Sequence, residues 1–175
     1  MYRLFHKGGS VHLNIYTVGF YGAGLNGYAT LPLTYSTRPY QDGVVLNYAT
    51  VPGGTSRERQ GSTAIHEVGH WLGLRHTFQG GCVGVGDGVD DTPPEAEAAS
   101  GCPIGRKSCP NSDLPDPIRK YSPFLFCLNL IRHFFFFLPD NYMDYSDETC
   151  RTEFTPGQIE LMQKSILTYR NNPNI

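Results

Sequence analysis

Apolar and polar positions alternate differently in different parts of the chain. Leu13 to Val18, LNIYTV, alternates and is rich in β-branched and aromatic residues, which predicts a strand. Gly19 to Gly27 predicts a glycine-rich loop, and Gly43 to Val51, GVVLNYATV, a second strand closed by Pro52-Gly53-Gly54. Ser62 or Thr63 is placed to cap a helix running from Ala64 to about Leu72, ended by Gly73. From Gly80 to Asp116 no period is sustained, so this region reads as irregular. Near the C-terminus, Thr155-Pro156-Gly157-Gln158 offers a capping threonine, proline at the first helical position and glutamine three residues after the cap. Ile159, Met162, Ile166 and Tyr169 follow at helical spacing and predict an amphipathic helix with that stripe toward a core.

One stretch breaks the pattern. Arg119 to Asp140, RKYSPFLFCLNLIRHFFFFLPD, is dense in large apolar residues, whereas its surroundings are polar and rich in Gly and Pro. It does not read as a membrane span, since Phe124 to Leu138 is too short and contains Asn129, Arg132 and His133. As an exposed recognition loop, four successive phenylalanines would invite aggregation.

Composition narrows the class. A chain of 175 residues is the size of one domain, and a formal charge of -2 gives no electrostatic reason to expect nucleic acid or an anionic membrane as partner. Of the five cysteines, Cys82, Cys102, Cys109 and Cys150 lie in polar, loop-like sequence, where disulfides are the natural reading and an oxidising, extracellular compartment follows. No C-x-x-C pair suggests a structural zinc site, and Cys127 is left over inside the anomalous stretch. Met1 to Ser10 has no apolar run of the kind an export signal carries, so a chain suited to disulfides reads here as either cytosolic or N-terminally incomplete.

The chemistry concentrates in HEVGHWLGLRH, residues 66 to 76. On a helix, His66 and His70 lie one turn apart on one face, so both imidazoles can converge on a zinc ion, and Glu67 can reach a water bound to it. Gly73 lets the chain leave the helix sharply, bringing His76 round as a third nitrogen ligand and leaving the fourth position to water. Three neutral ligands leave the ion its full charge, which lowers the pKa of that water, and Glu67 serves as general base. Requiring Gly73 and His76 in addition to H-E-x-x-H makes coincidence rarer by roughly several hundred-fold. His6, His12 and His133 have no partners at ligand spacing.

This pattern, followed by Asn141-Tyr142-Met143-Asp144-Tyr145-Ser146-Asp147, resembles the metzincin metalloproteases of the pappalysin group. HEVGHWLGLRHTFQGGC, GDGVDDTP and NYMDYSDETCRTEFTPGQ are similar to the secreted fungal extracellular metalloproteases of that group. The resemblance implies an α/β (α+β) metzincin-like fold: a twisted sheet over a zinc-binding helix, an irregular disulfide-pinned lower half and a C-terminal helix. It implies a secreted, monomeric endopeptidase acting on proteins or peptides, with His66, His70 and His76 as zinc ligands and Glu67 as catalytic base. Met143 would be an apolar floor beneath the imidazoles. Tyr145 would swing between the metal and the tetrahedral oxyanion. GVVLNYATV would be the edge strand that pairs with an extended substrate. The implied disulfides are Cys82–Cys109 and Cys102–Cys150; spacing alone does not choose among three pairings. Asp87, Asp90 and Asp91 could serve a calcium site as in some relatives, or be a solvated acidic loop. Thr149 stands where relatives that cut before basic residues have aspartate, so that preference does not carry over.

In the resembled family only one residue separates DPI from NYMDYS. Arg119-Lys120-Tyr121 can be written CGT AAG TAT, containing the intron start GTAAGT, and the segment's end can be written CTT CCA GAC, a pyrimidine tract closing in CAG. Excision between these points keeps the frame and joins C to AC, a histidine codon. Residues 1–175 are therefore read as one catalytic domain carrying an apolar insertion, a translated intron, at 119–140. The alternative is a catalytically defective zinc-binding product, disabled by truncation and insertion. The expected result of sequencing the transcript and gene across codons 119 to 140 is a spliced form lacking the segment; a gene without GT after the first base of codon 119 rules this out.

Overall fold

The computed structural model describes residues 2–56, 61–117 and 141–171. The anomalous segment 119–140, with Cys127 and His133, lies outside them. Within the described residues three short strands form one sheet: β1 (Ile15–Val18), β2 (Gly27–Ala29) and β3 (Val44–Asn47), in the order β1-β3-β2. β1 runs parallel to β3, with Ile15 opposite Val44, and β2 antiparallel, with Gly27 opposite Leu46. Helices are α1 (Tyr2–Phe5), α2 (Ser62–Trp71) and α3 (Pro156–Ser165), the last continued by a π-helical turn over Ile166–Arg170. None of the described helices is long and apolar enough to cross a membrane.

The strand read as an edge is the centre of the sheet. Val44, Val45 and Leu46 form a continuous apolar run, and all three are buried, as a strand covered on both faces and paired on both sides requires. The extended part ends at Asn47, and Tyr48–Thr50 turns as a 3-10 helix with the Asn47 side chain accepting from the Ala49 amide. The strand at the other end of the glycine-rich loop, β2, is the antiparallel edge. Its Gly-Tyr-Ala sequence is too short, and too poor in β-branched residues, to signal a strand on its own.

Two apolar clusters meet at α2. Val44, Leu46 and Trp71, with Ala29, Val51, Ala64, Val68 and Leu72 around them, join sheet and helix. Leu74, Met143 and Met162, with Leu72, Phe154 and Leu161, form a second cluster beyond the helix end. Leu72 belongs to both, so the C-terminal end of α2 is held from above and below.

The N-terminus of α2 departs from its local sequence signal. The cap position is Gly61, and neither Ser62 nor Thr63 supplies a capping hydroxyl; both are buried in the first turn. The Glu148 carboxylate accepts from the Ser62 amide instead. A charged acceptor meets the exposed amides and the positive end of the helix dipole together. At α3 the capping box forms as the sequence implies: the Thr155 hydroxyl accepts from the Gln158 amide, and the Gln158 side chain from the Thr155 amide. The inward face is different from the predicted stripe, because Gln158, Met162 and Ser165 are buried while Ile159 and Tyr169 are exposed. Gln158 is drawn inward by Asn141, with which it exchanges amide hydrogen bonds of 2.8 and 3.0 Å.

From Gly80 to Asp116 the chain forms neither helix nor strand. Disulfides join Cys82 to Cys109 and Cys102 to Cys150, and cross-links of this kind offset on the order of 3 kcal/mol of chain entropy each. Arg106 adds ion pairs with Glu95 at 2.6 Å and Asp116 at 3.2 Å. The chain on the two sides of the anomalous segment comes back together, the Asn141 amide donating to the Pro117 carbonyl at 3.3 Å.

A buried ion pair closes the molecule. The Arg170 guanidinium, 1% exposed, donates to both carboxylate oxygens of Asp42, at 2.9 and 3.1 Å, and lies over the Trp71 ring at 3.6 Å. Asp42 also accepts from the Trp71 indole at 2.9 Å and the Thr30 hydroxyl at 3.0 Å. Asp42→Ala would strand a guanidinium in the interior. It is expected to cost about 3–5 kcal/mol, read as a lower midpoint in urea unfolding.

Candidate metal centre and active site

Helix geometry sets two of the three imidazoles. His66 and His70, four residues apart on α2, stand one above the other on the same face. The third depends on how the helix ends. The Gly73 amide donates to the His70 carbonyl and the Leu74 amide to the Gly69 carbonyl, both at 2.9 Å. These are the paired bonds of a Schellman motif with Gly73 in the left-handed position, φ +107°. A Cβ at Gly73 would also run into the Ser165 hydroxyl. The reversal buries Leu74 and returns the chain so that His76 faces the helix.

The three Nε2 atoms then converge. His70 Nε2 lies 3.0 Å from His76 Nε2, which lies 3.2 Å from His66 Nε2. A tetrahedral metal with bonds of 2.0–2.1 Å sets its ligand nitrogens roughly 3.3 Å apart, close to both of these separations, and the three ligand atoms all lie within 4.8 Å of one another. The other ring nitrogens of two residues face carbonyls: His66 Nδ1 is 2.6 Å from the Tyr142 oxygen, and His70 Nδ1 2.8 Å from the Leu74 oxygen. Only a protonated Nδ1 can donate there, which leaves the Nε2 lone pairs pointing inward. Burial, and then the His70 charge, lower His66 to about 3 and His76 to about 4; burial also lowers His70. Neutral imidazoles are the form that ligates a cation. Among the described residues this is the one group of three or more such side chains able to share an ion.

Glu67 lies beside them, buried, its carboxyl raised to about 7 by desolvation. A Cβ at Gly27, on the edge strand, would come within 3.0 Å of Glu67 Cγ, 3.1 Å of its Oε1 and 3.1 Å of the Val45 carbonyl. The edge strand and the carboxylate are therefore in van der Waals contact, with the missing side chain as the condition. Below the helix, Met143 is fully buried, and a Cβ at Gly69 would sit 2.5 Å from its Sδ. Its carbonyl accepts from the Thr77 amide at 3.2 Å, while the Thr77 hydroxyl donates to Glu95 at 2.8 Å. The residue after the third histidine is thus fixed on both sides.

Tyr145 is 54% exposed, at the surface and not in the core. Its ring lies 4.9 Å from that of His76 and 5.6 Å from that of His66. Burial, and then the nearby charge of Glu67, raise its phenol, so the hydroxyl keeps its proton. Phe78 was not singled out by spacing, yet its ring stacks on His76 at 4.7 Å and meets Tyr145 at 5.1 Å. Glu148 and the Tyr142 carbonyl were likewise illegible, since each acts on α2 from far along the chain.

Asp87, Asp90 and Asp91 are not brought to one point. Asp87 accepts from the Thr92 hydroxyl at 2.8 and 2.7 Å and from the Val89 amide. Asp91 accepts from the Thr155 hydroxyl at 2.6 Å and the Gly157 amide at 2.8 Å, holding the start of α3. Asp90 is exposed.

Residues 11–167 match the peptidase M43 family, described as pregnancy-associated plasma protein-A. The chain belongs to this family. Among M43 relatives, an extracellular metalloprotease of Pyricularia oryzae is 46% identical over 94% of the chain and 51% of its own length. One of Podospora anserina is 44% identical over 98% of the chain and 53% of its own. The chain thus spans about half the length of the curated relatives it matches. The structure of mature mirolysin from Tannerella forsythia, in complex with a cleaved peptide, is similar with a TM-score of 0.68 and 32% identity, covering 94% of this chain and 60% of that one. The fold is the mixed α/β metzincin type, with a small sheet, a histidine triad and two disulfides.

Gly27→Ala is expected to destabilise by about 1–3 kcal/mol through overpacking. The loss should shrink when Glu67→Ala removes the Cγ and carboxylate it presses on. Thermal unfolding of the four proteins of that cycle measures the coupling.

Proposed function

We propose that the chain is the catalytic domain of a secreted zinc endopeptidase that hydrolyses peptide bonds in proteins or peptides. One observation carries the reading: His76 Nε2 stands 3.0 and 3.2 Å from the Nε2 atoms of His70 and His66, beside a buried carboxyl group. The M43 membership and the extracellular metalloproteases among its relatives support it. His66, His70 and His76 would hold the ion. Zinc, when bound, supplies a Lewis acid that polarises a carbonyl and brings the pKa of water toward neutrality.

The rest of the mechanism belongs to the chain's own groups. Glu67, whose environment places its carboxyl near neutrality, takes a proton from the attacking water and later gives it to the leaving amine. The Tyr145 hydroxyl, kept protonated and exposed at the rim, donates a hydrogen bond to the oxyanion of the scissile group. An extended substrate pairs its main chain with the free edge of β2, not with β3 as the sequence suggested. Because a side chain at Gly27 would press on Glu67, a peptide on that edge passes beside the base. Of the two metals considered, zinc has a converged ligand set; the acidic loop's Asp87 and Asp91 are engaged in hydrogen bonds. The single-domain reading, with 119–140 as an insertion, is supported by the meeting of Pro117 and Asn141.

The test is casein hydrolysis by the zinc-loaded protein in two forms, the full chain and one in which 119–140 is replaced by a single histidine. Turnover is expected from the second form. A chelator abolishes it, and Glu67→Ala lowers kcat by roughly 10²–10⁴-fold while one zinc per chain remains bound. Zinc-dependent cleavage that survives Glu67→Ala would overturn the role of the base.

A further inference from the structure

We propose that Phe78 is a positioning residue that fixes the ring of the third ligand and couples it to Tyr145; the inference rests on the metalloprotease reading of the same site. Three rings close a triangle. Phe78 and His76 lie face to face, 4.7 Å apart and 9° from parallel. Phe78 meets Tyr145 edge-on at 5.1 Å and 63°, and Tyr145 meets His76 edge-on at 4.9 Å and 70°. His66 also touches the Tyr145 ring, at 5.6 Å, but its own orientation is set by the Tyr142 carbonyl.

Each ligand ring needs something to fix it, because rotation about an imidazole's second side-chain torsion is broad and roughly two-fold. His66 and His70 are fixed through Nδ1 by backbone carbonyls. His76 comes from the loop after α2, not from the helix, and the flat face of Phe78 lies against it. That face restricts ring rotation while leaving Nε2 free to ligate. The same phenylalanine bounds the Tyr145 ring, so the oxyanion donor and the third ligand share one wall. Phe78 is half-buried and two residues beyond His76. Thr77 between them is anchored to Met143 and Glu95, which fixes the backbone from which Phe78 projects.

What the site requires is therefore flatness and not bulk. Phe78→Leu and Phe78→Met keep an apolar side chain of comparable size without a planar face, whereas Phe78→Tyr and Phe78→Trp keep the face. Zinc affinity is measured by competition with a chromophoric chelator, and casein turnover is measured at saturating zinc. The Leu and Met variants are expected to bind zinc about tenfold more weakly, on the scale of lost supporting contacts at metal ligands. They should also lose about tenfold in kcat with KM little changed, while Tyr and Trp stay near the parent. In a Tyr145→Phe background, the kcat loss from Phe78→Leu should persist, since the ring pair is retained; in Tyr145→Ala it should shrink. Zinc affinity that is unchanged in all four variants, or that follows side-chain volume instead of planarity, overturns the proposal. An inactive parent would count against proteolysis, while the zinc measurements would still decide the role of Phe78.

Discussion

Three imidazole nitrogens, one of them 3.0 and 3.2 Å from the other two, are an unfavourable arrangement unless a cation shares their lone pairs. Each ring must be stripped of water, kept unprotonated and prevented from turning away. The fold meets these demands separately. Burial keeps the rings neutral, backbone carbonyls hold two of them, and the reversal at Gly73 supplies the third. The reversal is the narrowest of these requirements. A side chain at that position would meet both a backbone conformation that L-residues avoid and the Ser165 hydroxyl. A continuing helix would carry residue 76 off the shared face.

The sheet and the lower half of the molecule brace the helix that carries this arrangement. Trp71, at its C-terminal end, packs on Val44 and Leu46 and lies under the Arg170 guanidinium, itself paired with Asp42 beside the start of β3. The C-terminal turn, the central strand and α2 are thereby joined at one buried point. Breaking such a pair is costly because a charge is left without a partner, even where the intact pair contributes little beyond an apolar replacement. Its value lies in geometry: the distance between the sheet and the histidines is set where an ion pair tolerates little displacement.

How much of this could be read from the sequence depended on the range of the interaction. The convergence of the three histidines was legible because HEVGHWLGLRH contains them all, set locally by helical spacing and a turn glycine. The capping box at Thr155 was legible for the same reason. The Ser62 or Thr63 cap was misread because a carboxylate 86 residues away takes the position. The α3 stripe was misread because the Asn141–Gln158 exchange pulls a polar residue inward. The role of GVVLNYATV went wrong for a subtler reason. An unbroken apolar run implies burial on both faces, and that signal was present, but strand order is a property of the whole sheet, and three residues of β2 give little sign of an outer neighbour.

Residues 141 to 150 show why the segment after the histidine motif matters as much as the motif. The Tyr142 carbonyl orients His66, Met143 fills the hollow left by Gly69, and the Glu148 carboxylate holds the first turn at Ser62. The Met143 carbonyl reaches past the helix to Thr77, next to His76. One short segment thus contacts α2 at its first turn and its middle, and the loop after it at Thr77. It is itself pinned at both ends, by the Asn141–Gln158 exchange and by the Cys102–Cys150 bond. A segment fixed at so many points cannot shift without disturbing the histidines. Its first residue is tied as well to the end of the irregular region, the Asn141 amide donating to the Pro117 carbonyl, so the disulfide-pinned half and the helix α2 are held through the same ten residues.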